Sequence, residues 1–210
     1  MARPTGPPPS RALLVEGQDD ELLVRYIRER CAADSSFGTI VKGGVDELRK
    51  SIVQETRVSG RQTVGILLDA NTNPAGRWDA VKDRLAQANI SLTDNPNASG
   101  TIVDGRPRER TPRVGVWLMP DNLSPGELED FIAQMIPCHD SVWPLSQSYI
   151  KGIPKQERKF RENKILSAQV HAWLAARAKP RLMGAIRAED LDVGGPLCQA
   201  FVAWLKALFT

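Results

Sequence analysis

Two short apolar runs that end abruptly in acid constrain this chain more than any other feature. Ala12-Leu13-Leu14-Val15 runs into Glu16-Gly17-Gln18-Asp19-Asp20, and Ile66-Leu67-Leu68 runs into Asp69-Ala70-Asn71. Four to six aliphatic residues bounded by turn residues read as strands buried on both faces, as in parallel sheets. Parallel sheets place their ligands in the crevice beyond the carboxyl ends of the strands. Glu16 and Asp69 would both stand at that edge, where two neighbouring acids repel unless one takes a proton or a cation lies between them. The pattern therefore predicts an α/β fold with a metal site at one sheet edge.

The rest of the chain extends this pattern. Strands are predicted at Ala12–Val15, Phe37–Val41, Thr63–Leu68 and Val114–Met119, with a short hairpin strand at Thr101-Ile102-Val103. Between them the apolar spacing becomes helical, giving helices over about Asp20–Cys31 (Asp19 as N-cap), Val45–Val58, Arg77–Ala88 and Pro125–Ile136. This is the spacing of βαβ units and predicts a Rossmann-like, mainly parallel sheet of four or five strands flanked by helices. After Pro137 the strand pattern stops. Two helices are expected there, over about Arg158–Arg177 and Pro196–Phe209, as a C-terminal helical extension packed on the core. The predicted division is a flexible proline-rich leader at 1–10, an α/β core at 11–137 and the extension at 138–210.

The 210 residues suffice for one substantial core, and no apolar run approaches the roughly 20 residues that span a bilayer. Cys31, Cys138 and Cys198 are far apart and outside any Cys-x-x-Cys spacing, which suits reduced thiols in a cytoplasm. With only His139 and His171 to add, structural zinc is not expected. The net charge of +3 is unevenly spread, because Lys151–Arg187 holds ten Lys/Arg against two acids. Such a segment, including Lys155, Arg158, Lys159, Arg161 and Lys164, suits either a phosphate backbone or an ordinary solvated helix face. The Arg106–Arg113 loop could add cations to the same backbone.

Individual residues carry open alternatives. Asp69 is the leading metal ligand, since hard cations such as Mg²⁺ or Mn²⁺ take carboxylate oxygen and water. Asp20 either assists that cation or joins Asp19 in complementing the dipole of the first helix. Asp121 and Asn122 follow the fourth long strand and either face the cation or cap the turn. Lys42-Gly43-Gly44 is a turn whose cation and amides could meet a phosphate. Dinucleotide, P-loop and Gly-x-Ser-x-Gly signatures are absent.

Leu14-Val15-Glu16-Gly17 with Asp19-Asp20, followed about fifty residues later by an Asp-x-Asp-like element after a hydrophobic strand, resembles the Toprim domain. Toprim domains occur in topoisomerases, bacterial primases and overcoming-lysogenization-defect nucleases. A longer series resembles a stand-alone prokaryotic Toprim-like family of unknown function. It runs through Val114–Asn122, Gly126-Glu127-Leu128-Glu129-Asp130-Phe131, Lys164 and His171–Ala175 to Phe201–Leu205. The resemblance implies a Toprim-like fold, Mg²⁺ or Mn²⁺ as cofactor and a nucleic-acid substrate (DNA or RNA). It implies Glu16 as a general acid/base or metal-binding group, Glu129 as a second cation ligand (or a helix-dipole acid), and divalent-metal phosphodiester hydrolysis as the activity. Asn71 departs from the pattern, which usually has a second aspartate there; its amide can still offer the cation an oxygen, but with one charge fewer. That departure opens an alternative: a non-catalytic binding or regulatory module. A separate ATPase chain and a homodimer are partners either reading allows; a membrane is not.

Overall fold

In the computed structural model, residues 8–31, 37–178 and 190–210 are described. Residues 1–7 of the expected leader, and Lys179, Arg181 and Arg187 of the basic segment, lie outside them.

Five strands form one sheet in the order β2-β1-β3-β5-β4. They are β1 (Arg11–Val15), β2 (Gly38–Val41), β3 (Thr63–Asp69), β4 (Thr101–Val103) and β5 (Arg113–Met119). All pairings are parallel except β4 with β5. Seven α-helices accompany them in the described residues: α1 (Gln18–Arg30), α2 (Val45–Thr56), α3 (Pro74–Ala86), α4 (Leu128–Met135), α5 (Val142–Gly152), α6 (Ile165–Leu174) and α7 (Pro196–Phe209). The expected α/β class stands, with the hairpin strand as the antiparallel edge.

Strand alternation divides the core in two. Leu13, Val15, Leu67, Trp117 and Met119 join side chains of α1, α4, α6 and α7 on one face. Leu14, Ile66, Leu68, Val116 and Leu118 join those of α2 and α3 on the other. Gly65 and Gly115 sit side by side in the β3–β5 register. A Cβ on Gly115 would lie 2.5 Å from Leu208, and one on Gly65 would meet Leu13, Phe209 and Leu208. The paired glycines thus make the shallow seat in which the end of α7 rests, and Phe209 stacks on Phe37 with ring centroids 3.9 Å apart.

Several boundaries differ from expectation. Gly17, not Asp19, is the N-cap of α1, because the third helical residue, Asp20, turns back to accept the Gly17 N–H at 2.8 Å. Helix α3 begins at Pro74, where the Asn73 side chain caps the Gly76 amide at 2.9 Å. Helix α4 begins only at Leu128, since Gly126, at φ 152°, exchanges two backbone hydrogen bonds with Asn71 instead. The expected helix over Arg158–Arg177 is reduced to α6. A 3₁₀ turn at Lys155–Glu157 precedes its expected start, and its first part holds only a second one at Glu162–Lys164. Helix α5 was not anticipated.

An acidic cleft at the switch point of the sheet

Strand β1 continues through α1 to β2 on one side, while β3 lies on its other side, so the order reverses between β1 and β3. At such a switch point the two connections leave on opposite faces and a crevice opens at the carboxyl edge. Glu16 follows the last residue of β1, and Asp69 is the last residue of β3. The Asp69 N–H donates to Glu16 Oε1 at 2.9 Å, so the two strand ends are tied directly. Asp69 Oδ1 in turn accepts the Leu128 N–H at 3.0 Å, tying β3 to the start of α4.

The cleft between these elements has a volume of about 410 Å³ and takes in Glu16, Asp19, Asp20, Asp69, Glu127 and Glu129, with Gly43 and Gly44 opposite. Burial pushes the Asp69 carboxyl up to about 8, and the charges of Glu16, Asp20, Glu127 and Glu129 push the same way. Burial likewise raises Asp20 to about 7 against the Gly17 amide that holds it down, and Glu16 adds to the rise. Glu16 is raised by burial and partly offset by the Asp69 amide and the charge of Arg77. Carboxyls displaced upward by burial and by one another mark a site that gains from a proton or a cation.

The rim is arranged by paired side chains. Glu127 is the N-cap of α4 and forms an ion pair with Lys164. The Asn71 amide, oriented to satisfy both neighbours, donates to Glu127 Oε1 at 3.0 Å and accepts from Arg77 Nη2 at 3.1 Å. Asn71 itself stands at φ 53°, a left-handed conformation that Asn, Asp and Gly tolerate best. Glu129 Oε1 meets His171 Nε2 at 3.2 Å. That hydrogen bond raises His171 against burial; burial tends to raise Glu129, but the histidine brings it below its ordinary value.

Whether these residues suit a divalent cation can be judged from their oxygens. Glu16, Asp20 and Asp69 each spend one oxygen on a backbone N–H and keep the other. An all-carboxylate set suits a hard cation, and the amide donors orient it as outer-shell partners do. Among the described residues no group of three or more His, Cys, Asp and Glu side chains is placed to hold a metal ion. Water and ligand oxygens would therefore complete the shell, as is usual for Mg²⁺.

A sequence model of a family described as protein of unknown function, DUF3226, matches residues 10–210. The chain belongs to the DUF3226 family. No curated protein and no solved structure gives a significant match.

In this DUF3226 chain the residues singled out from sequence fall into two groups. Glu16, Asp20, Asp69 and Glu129 line the cleft, and Asn71 and Lys164 reach it through Glu127. Asp121 does not line the cleft: its carboxylate accepts the Leu123 and Ser124 amides at 3.0 and 2.7 Å and the Ser124 hydroxyl at 2.8 Å, closing the turn after β5. Asn122 is buried, accepting from the Leu118 N–H at 2.9 Å. The Lys42 side chain pairs with Glu55 at 2.5 Å, so only its turn's backbone wraps Glu16, whose carbonyl accepts the Gly43 and Gly44 amides. Lys155, Lys159 and Arg161 are exposed, whereas Arg158 donates to the Ile153 and Lys151 carbonyls at 3.0 and 3.1 Å and holds the chain leaving α5.

The Arg106–Arg113 loop requires a correction. It enters β5 at Arg113, which pairs with Thr63, while the acids stand at the other end, where Met119 pairs with Asp69. Seven strand residues at about 3.3 Å each put the loop roughly 20 Å from the cleft. It cannot grip a backbone at the acids.

Two further residues bear on the cleft that sequence reasoning did not single out. Glu127, the N-cap of α4, lines it. Arg77 was read only as the start of α3, yet it acts on both Asn71 and Glu16. No helix among the described residues is long and apolar enough to cross a membrane.

Proposed function

We propose that the cleft is a divalent-cation site for phosphodiester hydrolysis of nucleic acid, in the manner of a Toprim-like nuclease. The observation that carries this reading is the joining of Glu16 and Asp69 through the Asp69 N–H at the switch point, with Asp20 beside them. The resemblance of Leu14–Gly17 and the Asp69 element to the Toprim domain supports it. A bound Mg²⁺ or Mn²⁺ would supply Lewis-acid polarisation of the phosphate and a nucleophile at neutral pH. Asp69 and Asp20 would hold the cation through the oxygens that no backbone amide occupies. Glu16 Oε2, with its pKa raised by burial, would take a proton from water and return it to the leaving oxygen. Lys164 Nζ, at the lip beside Glu127, would steady a phosphate, and Lys155, Lys159 and Arg161 would extend that contact along the strand.

The test is cleavage of single- and double-stranded DNA and RNA with Mg²⁺ and with Mn²⁺, with Glu16→Gln as the control. The reading expects metal-dependent cleavage that Glu16→Gln reduces at least a hundredfold. Equal cleavage by the variant would remove the assignment.

One observation favours a second reading, a non-catalytic binding or regulatory module. Asn71 and Glu129, two of the sequence candidates for the cation, are already engaged, by Glu127 and Arg77 and by His171. These 210 residues hold no P-loop, so ATP hydrolysis would come from outside them in either case.

A further inference from the structure

The Arg106–Arg113 loop, excluded from the acidic cleft, builds a different feature at the opposite edge of the sheet. With the turn between α2 and β3 it encloses a groove of about 800 Å³ lined by Arg57, Arg61, Arg110, Arg113, Gln62 and Thr111. We propose that this groove is a binding site for a small molecule bearing a polyphosphate chain.

The charges differ in availability. The Arg61 side chain is almost wholly buried and is neutralised by Glu55 at 2.5 Å. Arg113 meets Asp104 at 3.0 Å, but that aspartate side chain is 83% exposed, so solvent screens the pair. The Nε of Arg113 is buried without a hydrogen-bond partner. Arg57 and Arg110 have no ion pair among the described residues; Arg57 only donates to the Gln87 carbonyl, at 2.8 Å. The two unpaired guanidiniums therefore come from separate segments of the lining, one on the α2–β3 turn and one on the β4–β5 loop.

The walls are fixed before any ligand arrives. Arg106 donates to the Asn89 carbonyl at 3.0 Å and pairs with Glu109 at 2.9 Å. Its backbone N–H donates to Thr111 Oγ1 at 2.9 Å, which leaves the Thr111 hydroxyl hydrogen free to donate into the groove. Guanidinium forks match phosphate oxygens in pairs and keep their charge at any pH the protein meets. Cations from two segments of the lining suit several phosphates in a row better than a single carboxylate. The volume is that of ordinary small-ligand sites. No aromatic residue lines the groove, so nothing offers a platform for stacked bases, which argues against single-stranded nucleic acid as the occupant.

Calorimetric titration in EDTA with tripolyphosphate, ATP, AMP and a 20-nucleotide single strand tests this, on the wild type and on Arg57→Ala/Arg110→Ala. Tripolyphosphate and ATP should bind and AMP much less, with affinity at least tenfold weaker in the double variant, the scale of lost charged hydrogen bonds. Tripolyphosphate matching ATP would assign recognition to the phosphate chain, and ATP binding tighter would add the nucleoside; both support the site. Asp69→Asn should leave this binding unchanged, so failure here is separable from failure at the acidic cleft. Both arginines are exposed, and an unaltered melting temperature would show that the variant is folded. Absence of binding by every phosphate, binding unaffected by the double variant, or binding of the oligonucleotide alone would overturn the proposal.

Discussion

Replacing Asp69 by asparagine should stabilise the metal-free protein at alkaline pH and do far less for it at pH 5. Asp69 has its pKa raised from 3.8 to about 8, first by burial and then by the charges of Glu16 and Asp20. A carboxyl whose folded pKa is raised contributes its full stability below the unfolded pKa. That contribution is lost progressively as pH climbs to the folded value. The window is therefore about pH 4 to 8. At about 1.4 kcal/mol per unit the loss for an isolated group would approach about 6 kcal/mol. Glu16, Asp20 and Asp69 share that repulsion, so removing one charge should recover less, about 2 kcal/mol. Asparagine keeps an oxygen for the Leu128 N–H and removes only the charge. For a chain of this size about 2 kcal/mol corresponds to a rise of roughly 4–8 °C in Tm. Thermal melts in EDTA at pH 5.0 and 8.5 give the result directly. The wild type should lose Tm between the two, and Asp69→Asn should lose much less. A variant equal to or below the wild type at pH 8.5 would refute the reasoning.

Asn71→Asp should tighten Mn²⁺ and Mg²⁺ binding in calorimetry, because aspartate also tolerates φ 53° and adds an anionic oxygen beside Glu127 at the rim; an unchanged affinity would place Asn71 outside the ion's reach. Replacing Lys155, Lys159 and Arg161 by alanine should flatten the salt dependence of nucleic-acid binding by up to about 2.7 in log–log slope on duplex, at roughly 0.9 per phosphate contact, measured by anisotropy. An unchanged slope would assign those charges to solvent. Gly115→Ala should cost about 1–3 kcal/mol in denaturant unfolding, because its Cβ would lie 2.5 Å from Leu208 at the seat of α7.

How much was legible in the sequence depends on which residues carried the pattern. Glu16 and Asp69 could be placed together because each directly follows a run of consecutive apolar residues, Ala12–Val15 and Ile66–Leu68, and parallel strands bring such ends to one edge. Helix α5 could not be found by periodicity. Its exposed face carries Leu145 and Tyr149 and its buried face includes Ser146, the reverse of an amphipathic pattern, and Pro144 looked like a breaker where the first turn tolerates it. The run Arg158–Lys164 holds good helix formers but lacks an apolar stripe, so tertiary pairings of Arg158 and Lys164 set its path. Glu127 was hidden by a boundary: whether it lies in α4 or caps it decides where it points, and only the Asn71–Gly126 bridge fixes that start.

The central claim, that the cleft takes a divalent cation in exchange for protons, is tested most directly by Mn²⁺ titration calorimetry at pH 7 in buffers of different ionisation enthalpy. With Asp69 held near 8 and Asp20 near 7, the cleft carries protons at that pH that a cation must expel. The account predicts one bound Mn²⁺ with release of about one proton, and neither binding nor release in Asp69→Asn. Failure of Mn²⁺ to bind the wild type, or binding with no proton released, would contradict it.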